Sequence, residues 1–538
     1  MQLSIKSLLC LCPLALLVSG FSPPEFLPGI EGDDCPNHNV PPESLFQYNS
    51  LNGPLPGDPG GLHAPRFVGS APQEGDPIAI SHATVFRHEV DLSLPAHGQL
   101  FFGVRRTYDE DDAGASAGPD IRVGTNWRLS LDVRLFQAGD DLVLRDERGR
   151  LRFFHPDTDY QTGDVRYYSQ LDQGLYAYAT RNGTSTFEVT FNGGMVYRFA
   201  QSSGRLERIT DRNGNFLTFS YDGNGRLTTV GNSADSRQIS LEYVSSGAAA
   251  GHLHRVSDPQ GVAATYEYTT VSNPFAPSSP FVALSRVTLR GGAVTNYEYT
   301  TFHSAGGPSD VFQRLRLDRV LDGSNQVIVD YAYVSDTQNA NFPRPEIRGT
   351  GNQVLVDYIS SVSGFYGQVY DVAESGGTVR REYSQTWARD LLQLIEDEEL
   401  ILDLAYVGCG GNPGDQSSQR LLASSTNWVT GETWEFTYDL VPNSAPPAYS
   451  GYSTPADHFR QGNLTRIDYD DGDYETFTYG GGILNHLTSW RNREGGWTHY
   501  TYGSNGNVSR IDHPDGSFTV FWYDQYGNLT MQETFDGH

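Results

Sequence analysis

The stretch that decides the fold is NVSRIDHPDGSFTVFWYDQYGNLT, residues 507–530. It contains three short runs of alternating apolar and polar residues, separated by the turn sequences HPDGS and DQYGN. The same pattern occurs much earlier in the chain as RITDRNGNFLTFSYDGNGRLT, residues 208–228. In both copies a strand ends in Tyr-Asp, a glycine turn follows, and the next strand begins with Leu-Thr. A unit this short cannot bury its own apolar face, so the sequence predicts stacked copies in a continuous β-structure.

Tyrosine recurs near the predicted strand ends. The spacing is 21 residues from Tyr502 to Tyr523 and 23 from Tyr479 to Tyr502, which leaves room for two strands and two turns. The register cannot be placed between about residues 340 and 400. Residues 391–404 are the best helical candidate, but a hairpin turning at residues 396–399 fits equally well. The predicted fold class is therefore all-β, made of antiparallel hairpins, with little helix. The recurring tyrosines are Tyr197, Tyr221, Tyr243, Tyr268, Tyr299, Tyr333, Tyr406, Tyr438, Tyr479, Tyr502 and Tyr523.

The composition argues against several classes of function. The chain has 538 residues and a net charge of −28, from 37 basic and 65 acidic residues. Nucleic acids and anionic membranes attract basic surfaces, so neither is a predicted partner. Lys6 is the only lysine. The rest of the chain therefore has no residue for a Schiff base, for pyridoxal phosphate or for a P-loop.

Residues 1–20 are predicted to be a secretory signal peptide. One positive charge precedes an apolar run, and the small residues Ser19 and Gly20 close it. The run is too short to span a bilayer. We therefore expect cleavage near Gly20 and a secreted or cell-surface product with no transmembrane span.

Two further segments are assigned by composition and pattern. Residues 21–73 are rich in proline and glycine and are predicted to form a linker. Residues 74–194 are predicted to form an N-terminal antiparallel β domain, with strand-like segments at 84–91, 99–108, 126–136, 141–146 and 150–154. The repeat array is predicted to occupy residues 195–538 and to end within a repeat.

The cysteines do not form a disulfide scaffold. Cys10 and Cys12 would leave with the signal peptide, and Cys35 and Cys409 would remain. Two thiols allow at most one disulfide, and two unpaired thiols are an equally good interpretation.

No motif predicts a catalytic, cofactor or metal site. Residues 468–473 look like a calcium loop, but glycine is fifth and Tyr479 twelfth, where an EF-hand needs glycine sixth and glutamate twelfth. An acidic turn is the better interpretation. His82 and His88 lack the spacing of a helical zinc site, and Cys409 has no neighbouring ligand. The chain also lacks a Gly-x-Ser-x-Gly elbow.

The Tyr-Asp pairs allow two interpretations. They could line a sugar-binding surface, or the tyrosines could form an interior ladder while each aspartate starts a turn through its side chain. Repetition favours the structural interpretation, and we expect Tyr221, Tyr502 and Tyr523 to be largely buried, each against the next coil. The predicted structural repeat positions are Tyr221, Asp222, Gly225, Tyr502, Gly506, Asn507, Tyr523, Asp524, Gly527 and Asn528.

The sequences YDQYGNLT at 523–530, YDGNGRLT at 221–228 and YGSNGNVS at 502–509 resemble the RHS/YD repeats of bacterial cell-surface and polymorphic-toxin proteins. The segments GDPI at 75–78, VDLSLP at 90–95, RTYD at 106–109 and TNW at 125–127 are similar to the domain that commonly precedes those repeats. The resemblance covers about residues 75–538. It implies a β-ribbon that winds as a spiral into a hollow shell, which encloses a C-terminal toxin in some members and serves adhesion or binding in others.

The chain departs from the toxin carriers that it resembles. Those typically end in an Asp-Pro-x-Gly segment followed by a toxic domain, whereas this chain ends at His538 where a new repeat would begin. The DPQG at 258–261 lies within the array and is predicted to be an ordinary turn.

The predicted function is a secreted or cell-surface, non-enzymatic shell or interaction scaffold. One alternative is a polymorphic-toxin carrier whose toxin is absent from this chain, and another is a carbohydrate-binding or carbohydrate-acting β protein. The predicted partners are glycans, other cell-surface proteins, or a toxin cargo that is not present here.

Overall fold

The architecture comes from a computed structural model. It describes residues 73–74, 78–79, 84–109, 120–147, 151–158, 165–169, 177–183, 185–191, 193–273, 278–303, 313–334, 344–348, 354–362, 368–374, 377–383, 391–396, 399–407, 421–438, 463–480 and 486–537. The predicted signal peptide, nearly all of the predicted linker, His82 and the four cysteines lie outside these residues.

All regular structure in the described residues is β-strand, and the 37 strands form two sheets. The predicted all-β class is confirmed. None of the described residues belongs to a helix that is long and apolar enough to cross a membrane. The smaller sheet, called here the N-terminal sheet, contains β1 (Gln73–Glu74), β2 (Ile78–Ala79), β3 (Thr84–Leu94), β4 (Phe102–Asp109) and β5 (Trp127–Leu129).

The larger sheet is called here the ribbon. Its strands are β6 (Arg134–Ala138), β7 (Asp141–Arg145), β8 (Leu151–Thr158), β9 (Val165–Ser169), β10 (Ala177–Asn182), β11 (Thr186–Phe191), β12 (Val196–Ala200), β13 (Leu206–Thr210), β14 (Phe216–Tyr221), β15 (Leu227–Asn232), β16 (Gln238–Tyr243), β17 (Leu253–Asp258), β18 (Gly261–Val271), β19 (Phe281–Leu289), β20 (Val294–His303), β21 (Gln313–Asp322), β22 (Val327–Val334), β23 (Arg344–Arg348), β24 (Val354–Val362), β25 (Gln368–Glu374), β26 (Gly377–Tyr383), β27 (Leu391–Glu396), β28 (Glu399–Val407), β29 (Leu421–Asn427), β30 (Thr433–Tyr438), β31 (Leu464–Tyr469), β32 (Tyr474–Tyr479), β33 (Leu487–Arg491), β34 (Trp497–Tyr502), β35 (Val508–Asp512), β36 (Phe518–Tyr523) and β37 (Leu529–Phe535).

Within the ribbon each strand pairs in antiparallel fashion with the next strand along the chain. The turns therefore alternate between two edges. Edge A carries the turns that lead from an even-numbered to an odd-numbered strand, and edge B carries the others. The ribbon begins at Arg134 and runs without a break through residue 195, because β11 pairs with β12. The predicted domain boundaries stay predictions.

The structure corrects one predicted strand. Residues 126–136 do not form a single strand, since β5 ends at Leu129 and β6 starts at Arg134. The chain turns between them, where the Asp132 amide donates to the Leu129 carbonyl (3.0 Å). Asp132 is buried and accepts a hydrogen bond from Arg145 (3.0 Å). This ion pair fixes the turn, and an alternating apolar pattern cannot reveal it.

The ambiguous segment at 391–404 forms a hairpin. Strands β27 and β28 pair antiparallel, and Glu396 lies opposite Glu399 at the turn. The structure also supplies the missing register between 340 and 400, because a β-bulge precedes Tyr383, which pairs with Leu391. The same arrangement occurs at Tyr221, which follows a bulge and pairs with Leu227.

The repeat is held by a bond that links one hairpin to the previous one. The hydroxyl of a tyrosine at the end of an even-numbered strand donates to the carbonyl of the leucine near the start of the preceding odd-numbered strand. Seven described tyrosines, called here the ladder tyrosines, make this bond: Tyr221 to Leu206 (2.8 Å), Tyr243 to Leu227 (2.7 Å), Tyr268 to Leu253 (2.5 Å), Tyr299 to Leu284 (2.6 Å), Tyr333 to Leu317 (2.7 Å), Tyr438 to Leu422 (2.6 Å) and Tyr502 to Leu487 (2.6 Å).

The residue that precedes the leucine covers the ring of the same tyrosine. Arg226 lies over Tyr243 at 5.0 Å, and His486 stacks on Tyr502 with ring centroids 4.3 Å apart. In the arginine pairs, the cation over the aromatic ring contributes about 0.5–1 kcal/mol at exposed sites. Further pairs of this kind are Arg205 with Tyr221, His252 with Tyr268 and Arg316 with Tyr333.

Candidate functional site

The aspartate that follows a ladder tyrosine organises the next turn. Asp222 Oδ1 accepts the backbone N–H groups of Asn224 and Arg226, both at 2.9 Å, and the bond from Arg226 contributes most to lowering the pKa of Asp222. Asp524 binds Tyr526 (2.8 Å) and Asn528 (2.9 Å) in the same way. Burial raises the pKa of Asp524, but these hydrogen bonds outweigh burial and lower it. Both aspartates are thus charged and satisfied within their own turns.

The predicted tyrosine positions are partly buried. Tyr221, Tyr502 and Tyr523 each keep some exposed surface, and Tyr221 and Tyr502 pack against the hydrophobic core. They lie at strand ends beside edge A. The hydroxyls of Tyr221 and Tyr502 bind leucines of their own ribbon.

The predicted glycine positions all have left-handed backbone. Gly225 and Gly506 have φ of +79°, and Gly527 has φ of +83°. This conformation favours glycine because a side chain is strained there. At Gly527 a Cβ would also collide with the side chain of Asn213, a residue from a distant turn.

That collision marks a place where distant turns meet. We call it the turn junction, formed by residues 97–99, 211–215, 505–507 and 524–528. The Arg212 guanidinium donates to Asn507 Oδ1 through Nε (3.1 Å) and Nη2 (2.8 Å), across a separation of 295 positions in the sequence. Asn213 Oδ1 accepts from the side-chain amides of Asn505 (3.0 Å) and Asn507 (3.3 Å). An early turn on edge B of the ribbon therefore contacts a late turn on edge A.

The second late turn contacts the same early turn. The side-chain amide of Asn215 donates to the Tyr526 carbonyl at 2.6 Å, and Asn215 is buried. The early turn is rigid, because Asp211 Oδ1 accepts the backbone N–H groups of Asn213 and Asn215, both at 2.9 Å. It presents its polar side chains in a fixed arrangement.

The loop between β3 and β4 also enters the junction. Asn528 Oδ1 accepts the Gly98 N–H (3.0 Å), and Asn528 Nδ2 lies 2.9 Å from His97 Nδ1. The Gln99 N–H donates to Asp211 Oδ2 (3.2 Å). Of the predicted repeat positions, Asn507 and Asn528 thus bind residues far away in the sequence.

Burial shifts the pKa values of one group in the junction and of one group near it. Burial lowers the pKa of the Arg212 guanidinium. Burial and, to a lesser degree, repulsion from Arg212 lower the pKa of His486 to about 4, so His486 is neutral at pH 7. No group of three His, Cys, Asp or Glu side chains that could hold a metal ion occurs in the part of the chain that the structure describes.

A second group of interacting residues, which no sequence motif predicted, joins the N-terminal sheet to the ribbon. Asp91 and Arg106 of the N-terminal sheet form a buried ion pair (2.7 Å) that packs against the ribbon. The Tyr266 hydroxyl donates to Asp91 Oδ2 (2.7 Å), and Arg106 Nη1 donates to the Tyr297 hydroxyl (3.0 Å). Burial alone would lower the pKa of Arg106, but the attraction and hydrogen bond of Asp91 raise it, so the guanidinium stays charged.

The segment that leads into β5 of the N-terminal sheet also lies along edge A of the ribbon, beside strands β17, β19 and β21. The Leu253 N–H donates to the Arg122 carbonyl (2.8 Å), the Thr125 N–H to the Val282 carbonyl (2.8 Å), and the Asn126 side chain to the Leu315 carbonyl (2.7 Å). A Tyr-x-Tyr pattern, as at 266–268 and 297–299, is the sequence signal that could have located this interface.

The surface of the last strands is partly aromatic. Trp497 stacks against His499 with ring centroids 5.9 Å apart, and it is 43% exposed. Trp522 pairs across the strands with Met531, and both side chains are exposed. Large apolar groups at the surface are typical of contact sites when they form a patch.

Comparisons with known proteins identify the repeat. The family model described as RHS repeat matches residues 202–237, and a domain of unknown function, DUF6531, matches residues 75–154. No curated protein matches the chain.

Among solved structures, the chain is similar to TcdB2-TccC3-TEV, at 12% identity and a TM-score of 0.28, over 83% of this chain and 22% of that one. It is also similar to TcdB2-TccC3-Cdc42, at 11% identity and a TM-score of 0.25, over 73% of this chain and 23% of that one. The chain thus spans less than a quarter of either structure. TM-scores this low support no argument about fold or function, so the family assignment depends on the repeat itself. The RHS repeat matched at residues 202–237, together with the recurring Tyr-Asp turns, shows that the chain contains repeats of the RHS/YD type.

Proposed function

We propose that the chain is a secreted or cell-surface scaffold whose ribbon forms the wall of a shell, and that it works through shape and surface contacts rather than by catalysis. The observation that carries this proposal is the turn junction. Arg212 on edge B and Asn507 on edge A are 295 positions apart and yet hydrogen-bonded. In a continuous ribbon, the two opposite edges meet only if the ribbon winds through a full circuit.

The size of this circuit follows from strand geometry. The ribbon passes through strands β14 to β34 between the two turns that meet. Neighbouring strands lie about 4.8 Å apart, which makes one circuit about 100 Å long and a round coil about 30 Å across. Such a coil suits a wall one sheet thick.

The buried charged side chains bind other groups of the fold, which supports a structural role for them. Asp91 with Arg106 and Asp132 with Arg145 form buried ion pairs that join strands or turns. Asp211 binds backbone amides. Removal of one partner of such a pair would leave an uncompensated buried charge, which is strongly destabilising.

We also propose that the scaffold is exported and that it binds other cell-surface proteins or glycans. The apolar run of residues 1–20 and the net charge of −28 support export. The exposed side chains of Trp497, Trp522 and Met531 support a contact surface on the last strands. Intact Met1 in a cytoplasmic fraction, detected by mass spectrometry, would contradict the export proposal.

The wall is tested by cross-linking across the junction. In a variant whose native cysteines are replaced by serine, Asn213→Cys and Asn505→Cys place two thiols where the amide groups now lie 3.0 Å apart. A short bifunctional thiol reagent should join them within one chain, which changes the mobility of the denatured protein. Asn224→Cys with Asn505→Cys is the control, because Asn224 lies in an exposed turn on edge A. Equal cross-linking in both variants, or none in either, would refute the wound ribbon.

A further inference from the structure

We infer that the residue two positions before a ladder tyrosine decides which strands of the ribbon receive the N-terminal sheet. This position, called here the key position, is buried before each of the seven ladder tyrosines. Tyr266, Tyr297 and Tyr331 occupy it on β18, β20 and β22. All three are buried.

Each of these hydroxyls contacts a charged side chain of the N-terminal sheet. Tyr266 donates to Asp91 (2.7 Å), whereas Tyr297 accepts from Arg106 (3.0 Å) and Tyr331 accepts from Arg87 (3.3 Å). The partners come from both β3 and β4, so the three contacts define the position of the sheet along the ribbon.

Other described repeats have apolar residues at the key position. They are Phe219, Leu241 and Phe436, and all three are buried. A phenyl or isobutyl group offers no hydrogen bond to a carboxylate or guanidinium. If the N-terminal sheet were displaced by one repeat toward the start of the ribbon, Leu241 would take the place of Tyr266. The buried carboxylate of Asp91 would then lose the hydrogen bond that Tyr266 donates, which is unfavourable.

Tyr500 also occupies the key position, on β34. The N-terminal sheet docks by placing residues 122–126 along edge A. At the turn after β34 that edge already contacts the Asp211 turn, through Arg212 and Asn507. The junction therefore excludes β34, and the tyrosine pattern selects among the strands that remain.

This inference rests on the proposed wall only in requiring a folded ribbon, and the two are measured in different segments. The test is hydrogen exchange on the full chain, followed separately for β3 and β4 and for the turns at 211–215 and 505–507. In the Tyr266→Phe/Tyr297→Phe variant, exchange in β3 and β4 should rise about tenfold or more, as expected for lost hydrogen bonds to charged groups. The turns should keep their protection. Unprotected turns in the unmodified chain would count against the wall and not against this inference.

The matched control is Tyr268→Phe. It removes a hydroxyl from the same strand, two residues away, whose bond goes to Leu253 within the ribbon. It should loosen β17 and β18 and leave β3 and β4 protected. If the double variant does not fold, Tyr331→Phe decides, because it removes the Arg87 contact and leaves the Asp91–Arg106 pair intact. Unchanged exchange in β3 and β4, or an equal rise in the Tyr268→Phe control, would overturn the inference.

Discussion

A ladder tyrosine stabilises the ribbon through both its ring and its hydroxyl. In Tyr243 the hydroxyl donates to the carbonyl of Leu227, which is buried, while Arg226 lies over the ring. The bulge before Tyr243 turns its side chain toward that carbonyl. One residue thus satisfies a buried acceptor and packs against two strands, which explains why tyrosine recurs here rather than phenylalanine.

Two substitutions at Tyr243 separate these contributions. Tyr243→Phe should lower the free energy of unfolding by about 1 kcal/mol, because it removes only the hydrogen bond to Leu227. Tyr243→Ala should lower it by about 3 kcal/mol, because the packing of the ring is lost as well. Urea denaturation of both variants measures the difference. Equal losses would mean that the hydroxyl alone accounts for the stabilisation.

Glu475 has a charge state that changes near neutral pH. It is 1% exposed, and it accepts hydrogen bonds from the Tyr469 hydroxyl (3.0 Å) and from Trp490 Nε1 (2.6 Å). Burial raises the pKa of Glu475 to about 7, although the two donors act to lower it. Arg493 and Glu494 in the adjacent turn contribute opposing, smaller effects.

The stability of the protein should therefore fall as pH rises from about 4.5 to about 7. In this range the folded Glu475 holds a proton that the unfolded chain releases, so the stabilisation is complete below pH 4.5 and is lost as pH passes through 7. Glu475→Gln should flatten this dependence, measured as urea midpoints at pH 5 and pH 8. Glu533→Gln, at an exposed position of β37, is the control and should leave the slope unchanged, because Glu533 does not contribute to the raised pKa of Glu475. An unaltered slope in Glu475→Gln would contradict the assignment.

At the level of elements, β6 is the first strand of the ribbon, and its backbone packs closely against Gly204 in the turn between β12 and β13. The Leu135 N–H donates to the Gly204 carbonyl (2.9 Å), and Gly204 has φ of +69°. A Cβ on Gly204 would collide with the backbone oxygen of Leu135. A backbone atom cannot move aside as a flexible side chain can, so this position requires glycine for space as well as for conformation.

Gly183 provides the comparison, because its φ of +63° is similar but a Cβ there would meet open space. Gly183→Ala should cost about 1 kcal/mol, the strain of a left-handed residue. Gly204→Ala should cost roughly 2–4 kcal/mol, because overpacking adds to the strain. Thermal or urea unfolding of the two variants gives the comparison, and equal costs would show that β6 can move away without loss.

The hairpins were predictable from sequence, whereas their long-range contacts were not. Alternation and turn glycines are local signals, and they were sufficient for the strands around residues 208–228 and 507–530. The break between Leu129 and Arg134 depends on the buried Asp132–Arg145 pair, which leaves no local pattern. Asn507 also looks like any other turn asparagine, since its contact with Arg212 depends on the length of chain between the two turns.

At the scale of the whole molecule, the junction should contribute measurably to stability. Asn507→Ala removes the acceptor of the Arg212 guanidinium and should cost about 1–3 kcal/mol. Hydrogen exchange should rise in residues 211–215 as well as near the substitution. Asn224→Ala, in an exposed turn on edge A, should change stability by less than about 0.5 kcal/mol. Undisturbed exchange at 211–215 in Asn507→Ala would mean that the two turns touch without stabilising each other.

The meeting of Arg212 and Asn507 also restricts how the number of repeats can change. An open tandem array can gain or lose a unit at little cost, because each unit contacts only its neighbours. In this chain, deletion of one hairpin between β14 and β34 would shorten the circuit by two strand spacings, about 10 Å. Every later turn would then pass out of phase with the Asp211 turn, and the asparagines of both turns would lose their partners. The geometry of the circuit therefore constrains the number of repeats. A duplicated or deleted repeat should preserve the contact between the two turns only when a loop elsewhere in the circuit compensates for the change in length.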